Sequence, residues 1–234
     1  KMKKLILALL LMISLVTFVS AKMTPERPDG YNHLVEVYVN KGWNIVLSPD
    51  WDMWESDFMS NSDVKKDNIK AVYIYIPQHN KYYEVYPNGE ELKNQVSSFS
   101  QDTQLFLNIA SAWVYSDKSG YLRYRRVDVY KYNQPKLTSG WNFVTLLPGL
   151  KAKKLSQFKG DCEILKIAWF GNSEWSVLDP QSILQLSGSD VPSSWNDLIV
   201  ADSDSDVGKG VLMKMADSCQ FGSSSTISPP PIPT

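Results

Sequence analysis

Short runs of β-branched and aromatic residues, a self-match at a fixed offset, and a basic-then-apolar amino end predict the fold class. It is all-β, with two tandem related β-sandwich-like domains carrying short helical turns, preceded by a signal-peptide helix. The 234 residues accommodate one large β domain or two small ones. With 43% hydrophobic and 21% charged residues the chain can build a core, and a net charge of −1 gives no nucleic-acid footprint. Eight Trp, 12 Tyr and 8 Phe make it rich in aromatics. Two His and two Cys argue against a His-rich metal enzyme, a zinc ribbon or a disulfide-dense mini-protein.

From the amino end, Lys1, Lys3 and Lys4 precede an apolar run from Leu5 to Val19 that closes on Ser20-Ala21. This is the pattern of a cleaved secretory signal over residues 1–21, and it falls short of the roughly 20 apolar residues of a membrane-spanning helix. Its removal takes three lysines and leaves a net charge of −4. No integral membrane span is expected after cleavage, and no nucleic-acid partner. Residues 22–29 read as a linker. In an oxidising compartment Cys162 and Cys219 are expected to form a disulfide.

The self-match defines two repeats, 30–134 and 135–222. Gly42-Trp43-Asn44-Ile45-Val46 recurs as Gly140-Trp141-Asn142-Phe143-Val144, an offset of 98 that also aligns Ile109–Tyr115 with Val207–Met213. Between these blocks, Ala71–Tyr75 and Tyr83–Tyr86 mirror Lys166–Phe170 and Trp175–Leu178. Trp43 and Trp141 are expected to be structural, with Asn44 and Asn142 tying a turn to the backbone. Val35–Val39 and Tyr121–Arg125 alternate with period two, and Asp117–Gly120 reads as a hairpin turn between strands 111–116 and 121–126. Helical signals are local: Asp50–Ser60, Gly89–Ser97, Lys153–Phe158 and Asp179–Leu184. Residues 223–234, rich in Ser and Pro, read as a stalk or disordered tail.

Gly-Trp-Asn with a following Pro (Pro49, Pro148), then Gly208-Lys209-Gly210 before a closing strand, resembles a repeat of bacterial and archaeal secreted surface proteins. The repeats of that family open on Gly-Trp-Asn-Leu-Ile-Ser-Leu-Pro and close on Gly-Lys-Gly-Tyr-Trp-Val. The first repeat departs from the pattern, with Ala110-Ser111-Ala112 in place of the double Gly. The resemblance implies all-β envelope modules without a catalytic site.

Three sets of residues could carry chemistry. Tyr73, Tyr75, Tyr82, Tyr83 and Tyr86 crowd one hairpin. Alternation puts Tyr73 and Tyr75 on one face, where such rings commonly close a sandwich core with the hydroxyl at its rim. The alternative is that Tyr73, Tyr75, Tyr83 and Tyr86 are exposed as a contact face for a glycan or a protein. Asp202, Asp204 and Asp206 have the one-three-five spacing of a calcium loop and could hold Ca²⁺ weakly, but Val207 and Met213 stand where such a loop needs Gly and Glu. Arg123, Arg125 and Arg126 interleave with Tyr121 and Tyr124 and read as an edge guarded by charge. No nucleophile elbow, zinc-protease or phosphate-loop motif is present. The expected role is that of a noncatalytic secreted or cell-envelope structural and adhesion module, without a required cofactor, whose partner is an envelope protein or polysaccharide. The alternative is a carbohydrate-binding module using the Tyr-rich hairpin.

Overall fold

The computed structural model describes residues 21–23, 33–48, 61–126, 135–171, 174–185, 192–204 and 206–222. Residues 1–20 of the expected signal segment, the helix at 50–60, the stretch before the 134/135 boundary and the tail fall outside these residues. Thirteen strands form four antiparallel sheets in two similar pairs.

In the first repeat a back sheet contains β1 (Ala21–Met23), β2 (His33–Val39) and β7 (Gly120–Arg126). It faces a four-stranded sheet of β3 (Gly42–Leu47), β6 (Ser111–Ser116), β4 (Ile69–Ile76) and β5 (Lys81–Tyr86), in that order. The second repeat has the same plan. Its back sheet is β8 (Lys136–Leu137) with β13 (Cys219–Gln220), and its front sheet runs β9 (Gly140–Thr145), β12 (Gly210–Met215), β10 (Ile164–Gly171), β11 (Glu174–Leu178). Among the described residues four short α-helices fill the connections: α1 (Glu90–Gln95), α2 (Gln101–Leu107), α3 (Leu155–Phe158) and α4 (Pro180–Gln185). Ser100 caps α2 by accepting from the Thr103 amide at 3.2 Å.

Period-two alternation builds each sandwich. Val35, Val37 and Val39 of β2 and Leu122 and Tyr124 of β7 point inward, onto Val72, Ile74 and Ile76 of β4 and Val114 of β6. The Gly-Trp-Asn motif sets the opening strand by the same device in both repeats. The Asn44 Nδ2 donates to the Asn40 and Gly42 carbonyls at 2.8 and 3.0 Å, and its Oδ1 accepts from the Asn40 amide at 2.8 Å. Asn142 does the same with Thr138 and Gly140, at 2.8, 3.1 and 3.1 Å. Both asparagines are buried, so these bonds satisfy a polar group that could otherwise not be enclosed.

Three expectations change. Ala21, placed at the end of the signal segment, and Lys22 and Met23, assigned to a linker, pair with Val35–Val37 as an edge strand. The Asp117–Gly120 turn is not a hairpin: β6 pairs with β3 and β4, and β7 with β2, so the turn carries the chain from one sheet to the other. Finally, the closing strands correspond at an offset of 99 rather than 98. Asn44 lies opposite Val114 and Asn142 opposite Met213. A one-residue slip would place Trp113 against an inward position, whereas its true counterpart is Leu212, on the same outer face.

The two repeats join about an approximate twofold axis. The Leu47 amide donates to the Gly208 carbonyl at 3.0 Å, and its counterpart, the Thr145 amide, to Ile109 at 2.8 Å. Bridges Val46–Lys209 and Ala110–Val144 repeat the exchange. Ser111 and its counterpart Gly210 meet there: a Cβ on Gly210 would sit 2.7 Å from the Ser111 Cβ and 2.2 Å from the Ile45 Cγ2. Only glycine permits that approach.

Candidate functional site

The outer face of the first front sheet is aromatic because the alternation that sends aliphatic residues inward sends rings outward. β3 contributes Trp43, β4 Tyr73 and Tyr75, β5 Tyr82, and β6 Trp113 and Tyr115. Trp43, Tyr73, Tyr82 and Trp113 line an open cleft of about 430 Å³ whose walls are almost wholly apolar. Trp43 and Tyr82 remain 40% and 49% exposed. The rings meet at steep angles rather than lying flat. Trp43 stands at 87° to Trp113 with centroids 5.9 Å apart, and at 75° to Tyr115 at 5.1 Å. Such edge-to-face contacts favour a fixed, cleft-shaped surface over a planar strip.

Across the approximate twofold axis, the second repeat offers Trp141, Phe143, Phe170 and Trp175. Trp113 bridges to it, 5.0 Å from Phe170 and 5.7 Å from Trp175, and Tyr75 lies 5.5 Å from Phe143. Ile45, Phe143, Ala168 and Leu212 form the buried centre of this contact, leaving Trp43, Tyr82 and Trp175 around its rim. The belt is therefore partly an interface between repeats and partly open surface.

Of the four tyrosines named as candidate binding residues, Tyr73 and Tyr75 share the outer face. Tyr75 packs on Tyr82 at 4.9 Å and donates from its hydroxyl to Asn80 Oδ1 at 2.9 Å. Tyr83 and Tyr86 do not. Adjacent residues on a strand point to opposite faces, so with Tyr82 outward Tyr83 is 4% exposed, its hydroxyl 2.9 Å from His79 Nδ1 and its ring beside Phe99. A bulge between Val72 and Tyr73 places Tyr86 opposite Val72, half-buried below Lys66. The sequence reading missed Trp43, Tyr82 and Trp113 as site residues. The signal was present in Gly42-Trp43-Asn44: if the Asn must be buried to bond the turn, the Trp before it faces the other way.

The three aspartates do not converge on a cation position. Asp206 Oδ2 accepts from the Asp202 and Ser203 amides at 3.1 and 3.0 Å, and its Oδ1 from Lys209 Nζ at 2.8 Å. Asp204 pairs with Lys151 at 2.7 Å. Carboxylates committed to a turn and to lysines leave the one-three-five spacing without its metal geometry. Among the described residues, the one trio whose ligand atoms lie within 4.8 Å of one another is Asp161, Cys162 and Cys219. There the sulfurs are joined as a disulfide, with Cα atoms 5.1 Å apart. Of the arginine cluster, Arg123 pairs with Glu36 across β2 and β7 and sits 5.0 Å over the Tyr121 ring, a cross-strand role.

Chemically, the cleft offers two indoles and two phenols. Burial pushes the Tyr82 hydroxyl above its ordinary pKa, a hydrogen bond from Trp113 opposes this, and Tyr75 adds to the rise. Near neutral pH Tyr82 is therefore a protonated hydrogen-bonding group and not a base. Among the described residues no helix is long and apolar enough to cross a membrane. In comparisons with protein-family models, curated proteins and solved structures, nothing matches the chain.

Proposed function

We propose that this chain is a noncatalytic module, secreted or attached to the cell envelope, that contributes structure and adhesion. Its contact surface is the aromatic cleft of the first repeat. The observation that carries the reading is the exposure of Trp43 and Tyr82 on a preformed apolar cleft. Large rings held in place by their neighbours give up little freedom when a partner covers them, and exposed apolar patches of this kind mark contact sites. The Cys162–Cys219 disulfide accords with life outside the reducing cytosol.

A carbohydrate ligand is the second reading, favoured by the concentration of Trp and Tyr. The steep ring angles leave no flat strip for stacking, and the apolar walls offer few partners for sugar hydroxyls. An envelope protein is therefore preferred over a polysaccharide. The test is retention of the folded protein on isolated envelope fractions and on a glycan array, beside a Trp43→Ala, Tyr82→Ala variant. Retention on protein-containing fractions that the double variant loses is expected. Retention unchanged in the variant would remove the cleft from the reading, and glycan binding that the variant loses would favour the carbohydrate alternative.

A further inference from the structure

We infer that the aromatic cleft recognises a proline-rich strand, and that its occupant is the chain's own segment Ser228–Pro233. This rests on reading the cleft as a contact surface, for which the segment and an envelope protein would compete.

The chemistry of the walls selects the class. The walls formed by Trp43, Tyr73, Tyr82 and Trp113 are almost wholly apolar, and the Trp113 indole N–H is committed to the Tyr82 hydroxyl, so few hydrogen-bond acceptors face the cleft. A ligand rich in donors of its own would bury them without acceptors, at about 1–3 kcal/mol each. Proline brings no N–H. A polyproline II strand presents only carbonyl acceptors and apolar rings, and its conformation is set before binding, so little ordering entropy is lost. Grooves that take such strands are lined with aromatic side chains, as this one is.

The location selects the occupant. The Phe221 amide donates to the Pro135 carbonyl at 3.0 Å, and the next residue, Lys136, accepts from Gln78 Nε2 at 3.0 Å. Gln78 lies in the turn between β4 and β5, three residues beyond Tyr75, whose ring packs on Tyr82. Gly222, one residue beyond Phe221, therefore lies near the hairpin that contributes Tyr73 and Tyr82 to the cleft. Twelve residues follow, without a charged side chain, and Pro229-Pro230-Pro231-Ile232-Pro233 begins seven positions on. Extended chain covers about 23 Å over that distance. A short linker holds its segment at an effective concentration of about 1 mM, so a free-peptide Kd of about 100 μM would give occupancy of about 90% within one molecule.

The test compares the full chain with one stopped after Gly222, using the indole N–H resonances of Trp43 and Trp113 and acrylamide quenching. Near-ultraviolet circular dichroism confirms that both are folded. The truncated chain is expected to show shifted indole resonances and stronger quenching. A synthetic peptide of residues 223–234 should reverse both changes saturably, but not in the Trp43→Ala, Tyr82→Ala variant. Replacing Pro229, Pro230 and Pro231 with Ser in the full chain should reproduce the truncation. Identical indole resonances in the full and truncated chains, or a peptide without effect, would overturn the inference. So would a difference that disappears on dilution, because the segment would then come from a second copy. Envelope retention separates the two readings: retention lost in the double variant while truncation leaves the indoles unmoved sinks the tail alone, and the converse result sinks the envelope reading alone.

Discussion

The two repeats solve one structural problem with different chemistry at the point where the segment before the second front-sheet strand meets the back sheet. In the first repeat, the Asp63 Oδ2 accepts from the Tyr121 amide at 3.0 Å, and the next residue, Val64, is fully buried beside Gly120. In the second, the Asp161 Oδ1 accepts from the Gln220 amide at 2.7 Å, and the next residue, Cys162, is bonded to Cys219. Asp63 corresponds to Asp161, Val64 to Cys162 and Gly120 to Cys219. The junction sits at the end of the β2–β7 ladder in the first repeat, at Val39–Gly120, and at the matching pair of β8 and β13 in the second, Leu137–Cys219. In one repeat a valine packed against a glycine holds it; in the other a covalent link does.

Breaking that junction gives the largest expected effect. Closing the loop between Cys162 and Cys219 stabilises by about 4 kcal/mol in the chain-entropy view. The Cys162→Ala, Cys219→Ala variant should therefore melt about 8–16 °C lower. Val64→Ala at the matching place should cost about 2 kcal/mol. Equal losses by calorimetry would contradict the assignment of the larger task to the disulfide.

The next effect tests what the repeats share. Asn44→Ala and Asn142→Ala each remove the three turn hydrogen bonds that the repeats share, together with one longer bond (to the Val114 carbonyl and from the Thr138 hydroxyl respectively), and should cost about 2–3 kcal/mol each by denaturant titration. Costs that differ by more than about 1.4 kcal/mol, a tenfold change in the folding constant, would mean that the motif does different work in the two repeats. At the twofold contact, Gly210→Ala should cost about 1–3 kcal/mol because its Cβ would collide with Ile45 and Ser111. Ser111→Gly at the corresponding place relieves no such clash and should cost less.

The repeat was visible because Asn44 and Asn142 need the same neighbours to be buried, which preserved Gly-Trp-Asn in both copies. The equivalence Asp63-Val64 with Asp161-Cys162 also lay at the offset of 98, but valine and cysteine share no chemistry to announce a common place. The slip to 99 in the closing strands could not be read from small residues alone, and it reversed which side of β6 matched which side of β12. The tyrosine face failed for a related reason: Tyr82-Tyr83 is symmetric as a sequence, and only pairing with β4 decides which ring points out.

The smallest expected effect concerns acid. Burial pushes the Asp206 carboxyl up, but the Lys209 hydrogen bond and charge, with Ser203, outweigh it and hold it below the ordinary carboxylate range. A folded-state pKa below the unfolded value of about 3.9 contributes stability that is present above that pH and lost as pH falls through the folded value. Asp206→Asn should therefore flatten the decline in Tm on acidification below about pH 4. The first repeat, where helix α2 occupies the corresponding stretch, has no carboxylate in that role. An unchanged acid profile would remove Asp206 from the comparison.

The repeats are expected to unfold as one cooperative unit, because each lends backbone hydrogen bonds to the other's closing segment and the largest buried cluster runs through both. Scanning calorimetry of the oxidised chain tests it most directly. A single transition whose calorimetric and van't Hoff enthalpies agree is the expected result. Two resolved transitions, one of them lowered alone by Cys162→Ala, Cys219→Ala, would contradict it.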